Sequence, residues 1–167
     1  LGSLGEVLAR MHSIPGADCF PDEYRMGFSL FEKVILLSKD RGLSSAFLDI
    51  LVKEASVLKK NLPLNLPHGI LHGDVFPDNI IGSEGSVYAI LDLEEAWIGP
   101  LSFDLVMAFV GFGWEGDMPI PSRWNSLIRG YQSVRSLSEE EISAIPLMHR
   151  YATIAIACCR FWNHNLR

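Results

Sequence analysis

The chain has 167 residues, of which 49% are hydrophobic, 20% are charged and 10% are aromatic. This composition is typical of a globular domain with a buried core and excludes a disordered chain. The 14 basic and 20 acidic residues give a formal net charge of −6. That charge argues against nucleic acid as the main partner, because phosphate binding needs clustered Lys and Arg.

No apolar stretch is expected to span a membrane, which takes about 20 apolar residues. Leu105–Trp114 is too short, and the segment before Ala155–Cys159 carries His149 and Arg150. The chain also has no signal-peptide or transit pattern. We therefore expect a soluble chain with no membrane partner.

The cysteines, Cys19, Cys158 and Cys159, predict neither a disulfide framework nor a zinc site, because no Cys-x-x-Cys pair occurs. We interpret all three as small core hydrophobes, with a redox or metal role as the alternative. A reducing cytoplasm is the expected location.

The first predicted helix carries apolar residues at helical spacing and ends at Pro15-Gly16. A natural chain seldom starts inside a helix without Met, so we expect it to belong to a longer protein. A second helix is predicted from Pro21-Asp22 to Arg41-Gly42, with Asp22 as its N-cap. Its predicted apolar face is Phe28, Phe31, Ile35 and Leu36.

The third predicted helix is capped by Ser44 or Ser45 and ends before Pro63. Its predicted apolar face consists of Leu48, Leu51, Val52 and Leu58.

The pattern changes from helical to extended at His68. Short apolar runs at Gly69–His72 and Ile80-Ile81 precede the turn residues of Gly82–Ser86, and Val87–Leu93 reads as a strand. Together they predict a β-hairpin.

Helical spacing returns after Gly99-Pro100. Helices are predicted from Ser102 to about Phe112 and from about Ser122 to Val134, and a capping box at Ser138 and Glu141 follows. Pro146 is expected to start or kink the final helix. The predicted fold class is α+β, mostly helical, with one small strand-rich insert.

Oxygen-bearing side chains cluster in this insert. Asp74 follows a strand in a loop with Gly and Pro, Asn79 comes five residues later, and Asp92 ends the next apolar strand. A hairpin would bring Asp92 back beside the loop, where carboxylate and amide oxygens suit Mg²⁺ better than zinc. Glu94 shares a strand face with Asp92 and is a candidate extra ligand.

The motif His-Gly-Asp-x-x-x-x-Asn at 72–79, followed by an apolar strand and Asp92, resembles the catalytic and metal loops of aminoglycoside phosphotransferase-like kinases. These are relatives of protein kinases. Leu101–Leu105 resembles the next helix of that superfamily. Phe76–Asn79 and the run Gly130–Ser138 resemble bacterial-type homoserine kinase.

The resemblance implies the C-terminal lobe of a protein-kinase-like fold over residues 1–167, with the N-terminal nucleotide lobe absent from this chain. It implies an ATP-dependent transfer of phosphate to a hydroxyl of a small molecule, homoserine or a related amino alcohol, with ATP and Mg²⁺ as cofactors. Asp74 would act as the base toward the acceptor hydroxyl, and Asn79 and Asp92 would hold the nucleotide through Mg²⁺. His72 would support the loop, and Asp104 would brace it from below.

Other interpretations of the same residues stay open. Taken singly, Asp74, Asn79 and Asp92 suit turns that cap a hairpin, and His72 suits a strand end. The candidates for lining an acceptor pocket, or else for the core, are Trp97, Trp114 and Trp162. Arg150 and Arg160 are candidates for an acceptor carboxylate, or else for surface ion pairs. The remaining histidines are expected to be structural or exposed.

Two rival functions accompany the kinase hypothesis. One is a truncated, catalytically incompetent lobe that serves as a binding module or relic; the other is a metal-dependent hydrolase. We expect the isolated chain to be inactive. We also expect it to self-associate through the face that would meet a second lobe, near Leu4, Val7 and Leu8.

Overall fold

The structure is a computed structural model that describes residues 1–15 and 19–167. Three helices come first, then a strand-rich segment, then a second set of helices. The first helices are α1 (Gly2–His12), α2 (Phe28–Asp40) and α3 (Ala46–Asn61). The strands of the insert are β1 (His68–Leu71), β2 (Ile80–Ser83), β3 (Ser86–Ile90) and β4 (Trp97–Pro100). Next come α4 (Ser102–Phe112), the short strands β5 (Trp114–Glu115) and β6 (Met118–Pro119), α5 (Pro121–Gln132) and α6 (Glu139–Phe161).

Helices α1 and α5 pack with their backbones in close approach. A Cβ atom on Gly5 would collide with the Leu127 carbonyl oxygen, and one on Gly130 would collide with the backbone of Gly2. Glycine at these positions lets the helices come together, and α1 thereby becomes part of the core. The predicted helix end at Pro15-Gly16 falls partly on residue 16, outside the described residues, and α1 itself ends at His12.

Helix α2 begins later than predicted. Asp22 does not cap it: residues 21–27 form bends and turns, and the N-cap is Gly27. Phe31 is fully buried, whereas Leu36 is exposed. The cap of α3 is Ser45, whose side chain accepts a hydrogen bond from the backbone N–H of Leu48. Val52, expected on the apolar face of that helix, is exposed.

The strands form two antiparallel pairs around the loop that carries the candidate site. Strand β1 pairs with β4, with Leu71 opposite Trp97, and β2 pairs with β3 as the predicted hairpin, with Ile80 opposite Ile90. A one-turn 3₁₀ helix at Pro77–Asn79 leads into β2. Both ends of the loop at 72–79 are therefore fixed by strands.

Helix α6 begins at Glu139 and contains Pro146, so the expectation that Pro146 starts the final helix is wrong, and a kink at Pro146 stays a prediction. The helix begins at the predicted capping box. The Ser138 side chain accepts from the Glu141 N–H, and the Glu141 side chain accepts from the Ser138 N–H. A favourable N-terminus seven residues before the proline lets one helix extend through it.

By length and composition alone, the segment Glu139–Leu166 would be able to cross a membrane, which the sequence analysis did not anticipate. Within the fold, α6 packs on α2, α3 and α4. Its inward side includes Met148, Ala152, Ala155 and Cys158, which are buried in the common core. A core helix of a globular protein passes the same test.

Burial corrects two expectations about single residues. Leu4 and Leu8 are buried in the core and Val7 is half-buried, so these residues do not form the exposed apolar face predicted for them. Cys158 is buried and burial raises the pKa of its thiol to about 12, whereas Cys19 is exposed rather than in the core. All three cysteines are free thiols.

Candidate active site

The loop at 72–79 is closed by hydrogen bonds from Asn79. The Asn79 side-chain nitrogen Nδ2 donates to the Asp74 backbone carbonyl and to Asp74 Oδ2, both at 2.9 Å. The Phe76 backbone N–H donates to the Asp74 carbonyl at 2.9 Å as well. Asp74 is half-buried, and in the described residues no donor bonds to its second oxygen, Oδ1. The loop thus holds the carboxylate in place and leaves one oxygen free.

His72 lies beneath the loop and is fully buried. Its Nδ1 accepts from the Asp74 backbone N–H at 3.2 Å, and its Nε2 lies 2.8 Å from the Leu91 carbonyl oxygen. This pattern assigns the proton to Nε2, because Nδ1 acts as an acceptor and Nε2 faces one. A neutral imidazole therefore links the Asp74 loop to the segment that carries Asp92.

Gly73 occupies a position that only glycine fits. Its φ is +80°, and a Cβ there would collide with the Glu95 carbonyl oxygen. On its other side, the Tyr24 hydroxyl donates to the Gly73 carbonyl at 2.8 Å. Burial raises the pKa of Tyr24, and the negative charges of Asp74 and Asp104 raise it further, so this phenol stays a donor.

Asp104, in the first turn of α4, holds the start of the loop from inside the protein. Its Oδ2 accepts the His72 N–H at 2.7 Å, and its Oδ1 accepts the Gly73 N–H at 3.0 Å. The carboxylate is fully buried, and His12 Nε2 lies 3.2 Å from Oδ2. Buried charges persist in proteins when they are hydrogen-bonded in this way.

The hydrogen bonds continue from His12 to the start of α6. His12 Nδ1 lies 2.9 Å from the Tyr131 hydroxyl, which in turn accepts from Arg135 Nη1 at 3.2 Å. Arg135 makes two hydrogen bonds to Glu141, at 2.9 and 3.1 Å. Burial, opposed by the Arg135 charge, raises the pKa of Tyr131 to about 12. The loop is therefore tied to α1, α4, α5 and α6.

Asp92 lies beside the Asp74 loop, just beyond the end of β3. The Leu91 backbone N–H donates to the Asn79 carbonyl at 2.8 Å, which sets this segment against the loop. Asp92 has a φ of +64° and is exposed, and its Oδ1 accepts from the Glu94 N–H at 3.2 Å. A turn of this kind suits Asp, whose short side chain bonds to its own backbone.

The side chains around this turn fit a hard divalent cation only in part. Asn79 uses its nitrogen toward Asp74, and in the described part of the chain its Oδ1 has no hydrogen bond; Asp92 adds an exposed carboxylate. Both present oxygen, which Mg²⁺ prefers. Within residues 1–15 and 19–167, no three His, Cys, Asp or Glu side chains gather at a metal-binding distance. Phosphate oxygens and water would have to complete the coordination.

Glu94, the candidate extra metal ligand, is paired with an arginine. Its carboxylate pairs with Arg25 Nη1 at 3.1 Å, and the neighbouring Glu95 carboxylate also bonds to the Arg25 guanidinium. The contacts therefore place Glu94 on Arg25 and give no support to its predicted role as a metal ligand.

A family model described as APH, phosphotransferase enzyme family, matches residues 1–137, which include the loop and all its hydrogen-bonding partners up to Arg135. The chain belongs to the phosphotransferase enzyme family. The resemblance found in the sequence is confirmed, and so is the fold class, a mostly helical part of a kinase-like phosphotransferase fold.

Relatives and solved structures of this family cover nearly all of the chain. The homoserine kinase of Brucella anthropi is 33% identical over 166 residues, which are 96% of this chain and 50% of the relative. A choline/ethanolamine kinase family protein from Mesorhizobium loti superposes with a TM-score of 0.73 at 18% identity, over 98% of this chain and 53% of that one. An aminoglycoside phosphotransferase in a ternary complex with streptomycin and ATP gives a TM-score of 0.66 at 14% identity, over 99% and 57% of the two chains. The chain thus spans about half the length of the curated relatives it matches.

The other candidate residues lie apart from the loop or are already paired. Trp97 is buried and stacks on Tyr24 in the core. Trp114 lies at an apolar groove on the outer side of α4 and α6. Arg150 makes three hydrogen bonds to Glu54, between 2.7 and 2.9 Å, so it is not free for an acceptor.

Two further candidates do line cavities. Arg160 lines a cavity of about 590 Å³ beside Phe76 of the loop. Trp162 lies in a different cleft, near Glu94 and Glu95, where Lys33 Nζ sits 4.2 Å from the centre of its ring.

Sequence reasoning missed three residues of this candidate site. His12 was expected to be structural or exposed, and Tyr24 and Arg25 were given no role. Tyr24 contacts the loop directly, His12 contacts Asp104, which holds the start of the loop, and Arg25 contacts Glu94 and Glu95. The one available signal was the position of His12, which shares a helix face with Leu4 and Leu8.

Proposed function

We propose that this chain is the C-terminal, catalytic and acceptor-binding lobe of an ATP-dependent kinase that phosphorylates a hydroxyl group of a small molecule. Membership of the phosphotransferase family supports the reaction class. The observation that carries the proposal is the state of Asp74: one oxygen is held by Asn79, and no described residue donates to the other.

In this proposal, Asp74 Oδ1 accepts a hydrogen bond from the acceptor hydroxyl and orients its oxygen toward the γ-phosphorus of ATP. A bond forms between that oxygen and the γ-phosphorus as the bond from the γ-phosphorus to the β–γ bridging oxygen breaks. ADP leaves with the electron pair of the broken bond, and the hydroxyl proton passes to Asp74 and then to solvent. Phosphoryl transfer depends mainly on positioning and charge neutralisation, and the loop supplies the positioning.

Asn79 Oδ1 and the Asp92 carboxylate are the proposed protein ligands of Mg²⁺. When bound, the ion neutralises charge on the phosphates during transfer. Asn79 would then act in two ways at once, holding Asp74 through its nitrogen and the ion through its oxygen. The bond between Leu91 and Asn79 keeps Asp92 beside it.

His72 and Asp104 are proposed positioning residues. His72 joins the Asp74 backbone to Leu91, and Asp104 joins two loop N–H groups to the core. Neither side chain is exposed to an acceptor, because both are fully buried. Their contribution would be to keep Asp74 at a fixed distance from the bound phosphates.

Homoserine or a related amino alcohol is the proposed acceptor. The curated relative quoted above is named homoserine kinase, and it matches 96% of the chain. The solved neighbours carry the names of other acceptors, so the fold alone does not choose among them.

We propose that the nucleotide is held between this lobe and a second lobe contributed by the rest of the protein. On that basis, residues 1–167 alone would bind ATP weakly and would transfer no measurable phosphate. Two or three missing charge-assisted contacts at about 1.5–3 kcal/mol each would weaken binding by a factor of about a hundred or more.

The test is ADP release by the full-length natural protein with ATP and Mg²⁺, using L-homoserine, choline and kanamycin as separate acceptors. The proposal expects hydroxyl-dependent ADP release, highest with L-homoserine, and a phosphate ester as the product by ³¹P NMR. If ADP release is the same with and without each acceptor, and the protein binds ligands without turning them over, the binding-module hypothesis is favoured instead.

A further inference from the structure

A polar cleft of about 490 Å³ lies between the N-terminal part of α2, the segment after Asp92, and the end of α6. This size is within the range of small-molecule sites, about 300–1,000 Å³. We name it the Lys33 cleft after one of its lining residues; the others that matter here are Arg25, Glu94, Glu95, Trp162 and Asn163.

The charged groups of the Lys33 cleft are not equivalent. Arg25 is occupied, because Glu94 and Glu95 both bond to its guanidinium. Lys33 is different: among the described residues it forms no ion pair with a carboxylate, and its Nζ lies over the Trp162 ring at 4.2 Å. The cleft therefore presents the Lys33 ammonium, with the Arg167 side chain also in its lining, opposite two carboxylates that share Arg25.

The contact with Trp162 limits where the Lys33 ammonium can go. A cation over an aromatic ring is attracted to its face, so this contact keeps the exposed Lys33 side chain at the cleft. Met26 and Leu30, which also line the cleft, are half-buried and add an apolar surface suited to a short methylene chain.

The Lys33 cleft adjoins the catalytic loop through backbone contacts. The Glu95 carbonyl lies against Gly73, so closely that a Cβ on Gly73 would collide with it. Tyr24, the residue before Arg25, donates its hydroxyl hydrogen to the Gly73 carbonyl at 2.8 Å. Two walls of the cleft are thus joined to the residue next to Asp74.

We propose that the Lys33 cleft binds the head group of an acceptor that carries both an ammonium and a carboxylate, with Lys33 as the cation that recognises the carboxylate. Glu94 and Glu95 face the acceptor ammonium, and their carboxylates bond to both that ammonium and Arg25. The hydroxyl end of the acceptor then points along the wall toward Asp74. This assignment rests on the proposed kinase function and specifies its substrate class as an α-amino acid with a side-chain hydroxyl.

The charges of the Lys33 cleft distinguish hydroxy amino acids from amino alcohols and from hydroxy acids. An amino alcohol without a carboxylate leaves Lys33 unpaired and adds a further cation to a cleft that already holds Arg25, Lys33 and Arg167. A hydroxy acid without an amino group pairs its carboxylate with Lys33 but offers no ammonium to Glu94 and Glu95. Only the zwitterion complements both sides, because an unpaired like charge at a binding site lowers affinity.

The test compares acceptors that differ by one charged group, using the full-length natural protein. L-Homoserine is matched by 3-aminopropan-1-ol, which lacks only the carboxylate, and by 4-hydroxybutyrate, which lacks only the ammonium. L-Serine and ethanolamine form a second matched pair. Binding is measured by isothermal titration and turnover by ADP release. The variants are Lys33→Met, Lys33→Arg and, as control, Lys39→Met, an exposed lysine later on the same helix.

We expect the wild type to prefer the carboxylate-bearing member of each pair. In Lys33→Met, the binding of that acceptor should weaken and its KM should rise by about tenfold or more, as for one lost charge-assisted contact. The same variant should leave the KM values for 3-aminopropan-1-ol and for ATP within about twofold, while Lys33→Arg keeps the preference and Lys39→Met matches the wild type.

Equal binding of homoserine by wild type and Lys33→Met, or a rise in the KM for ATP instead, would overturn the cleft assignment while the kinase function stands. Lys33-dependent binding of the amino acids with no ADP release by the wild type would support the cleft and contradict the kinase function. If neither L-homoserine nor L-serine binds, the cleft assignment is overturned directly.

Discussion

Asp104 and His12, separated by 92 positions in the chain, meet at 3.2 Å in the interior, and both side chains are completely excluded from solvent. The same Asp104 oxygen accepts the N–H of His72 at 2.7 Å. One carboxylate thus joins the first helix of the chain to the loop that carries Asp74. This relationship makes the loop part of the core rather than a surface turn.

Asp104→Asn should lower the free energy of unfolding by about 1–3 kcal/mol, because an amide nitrogen would face a backbone N–H or His12 in a buried site. It should also reduce kcat more than the KM of the acceptor, since Asp74 is displaced rather than removed. Urea unfolding and steady-state kinetics measure the two effects.

The control is Asp117→Asn, which makes the same change at an exposed position between β5 and β6. Equal stability and equal kcat in the two variants would contradict the anchoring role of Asp104.

Gly5→Ala should destabilise the protein by about 1–3 kcal/mol, because the added methyl overlaps the α5 backbone and neither helix can yield locally. Gly2→Ala, three residues earlier on the same helix, is the matched control. There a Cβ meets Ser126 atoms at 3.6 and 3.7 Å, an ordinary contact, so that variant should be neutral or slightly stabilised.

Thermal unfolding of the two variants beside the wild type measures this difference. A Gly5→Ala protein that melts at the wild-type temperature would show that α1 and α5 are not packed as closely as described.

Much of the fold could be predicted because its signals are local. The capping box at Ser138 and Glu141 and the turn residues of the β2–β3 hairpin each depend on neighbours in sequence, and both are confirmed. The prediction that Asp22 caps α2 was wrong, because an acidic residue before an apolar run only favours a helix start and does not fix its position. Here the chain makes further turns before α2 begins at Phe28.

The parts of the site that sequence could not supply are those fixed by tertiary packing. Asp74, Asn79 and Asp92 were candidates because their spacing matches a known motif. The contact of His12 with Asp104 spans 92 positions and that of Tyr24 with Gly73 spans 49, and no periodicity encodes such pairs. Pro146 does not start the final helix, because α6 begins at the capping box seven residues earlier and packs on three other helices along its length.

The proposed metal ligands can be separated by a magnesium titration. Asp92→Asn and Asn79→Ala should both raise the half-saturating Mg²⁺ concentration, because each removes an oxygen ligand or its charge. Asn suits the positive φ of Asp92, so the turn should persist in the first variant. Glu94→Gln should leave the half-saturating Mg²⁺ concentration unchanged, because Glu94 faces Arg25. A larger effect from Glu94→Gln than from Asp92→Asn would reverse this assignment.

Stability should decrease in mild acid because of His149. Burial lowers the pKa of this imidazole below its usual value of about 6.5. The unfolded chain therefore binds more protons than the folded one, and the stability contributed by neutral His149 is present above about pH 6.5 and is lost as the pH falls below it. His149→Gln should flatten this part of the melting temperature profile between about pH 7.5 and 5. His164→Gln, at an exposed position, should leave the profile as in the wild type, and an identical slope in all three proteins would contradict the prediction.

The most direct test of the account is the turnover of Asp74→Ala in the full-length protein, beside Asp78→Ala, which removes an exposed carboxylate from the same loop. The account predicts that Asp74→Ala loses nearly all acceptor-dependent ADP release while its melting temperature stays close to that of the wild type, and that Asp78→Ala keeps its activity. An Asp74→Ala protein that folds normally and turns over within about threefold of the wild type would contradict the assignment of Asp74 as the catalytic base.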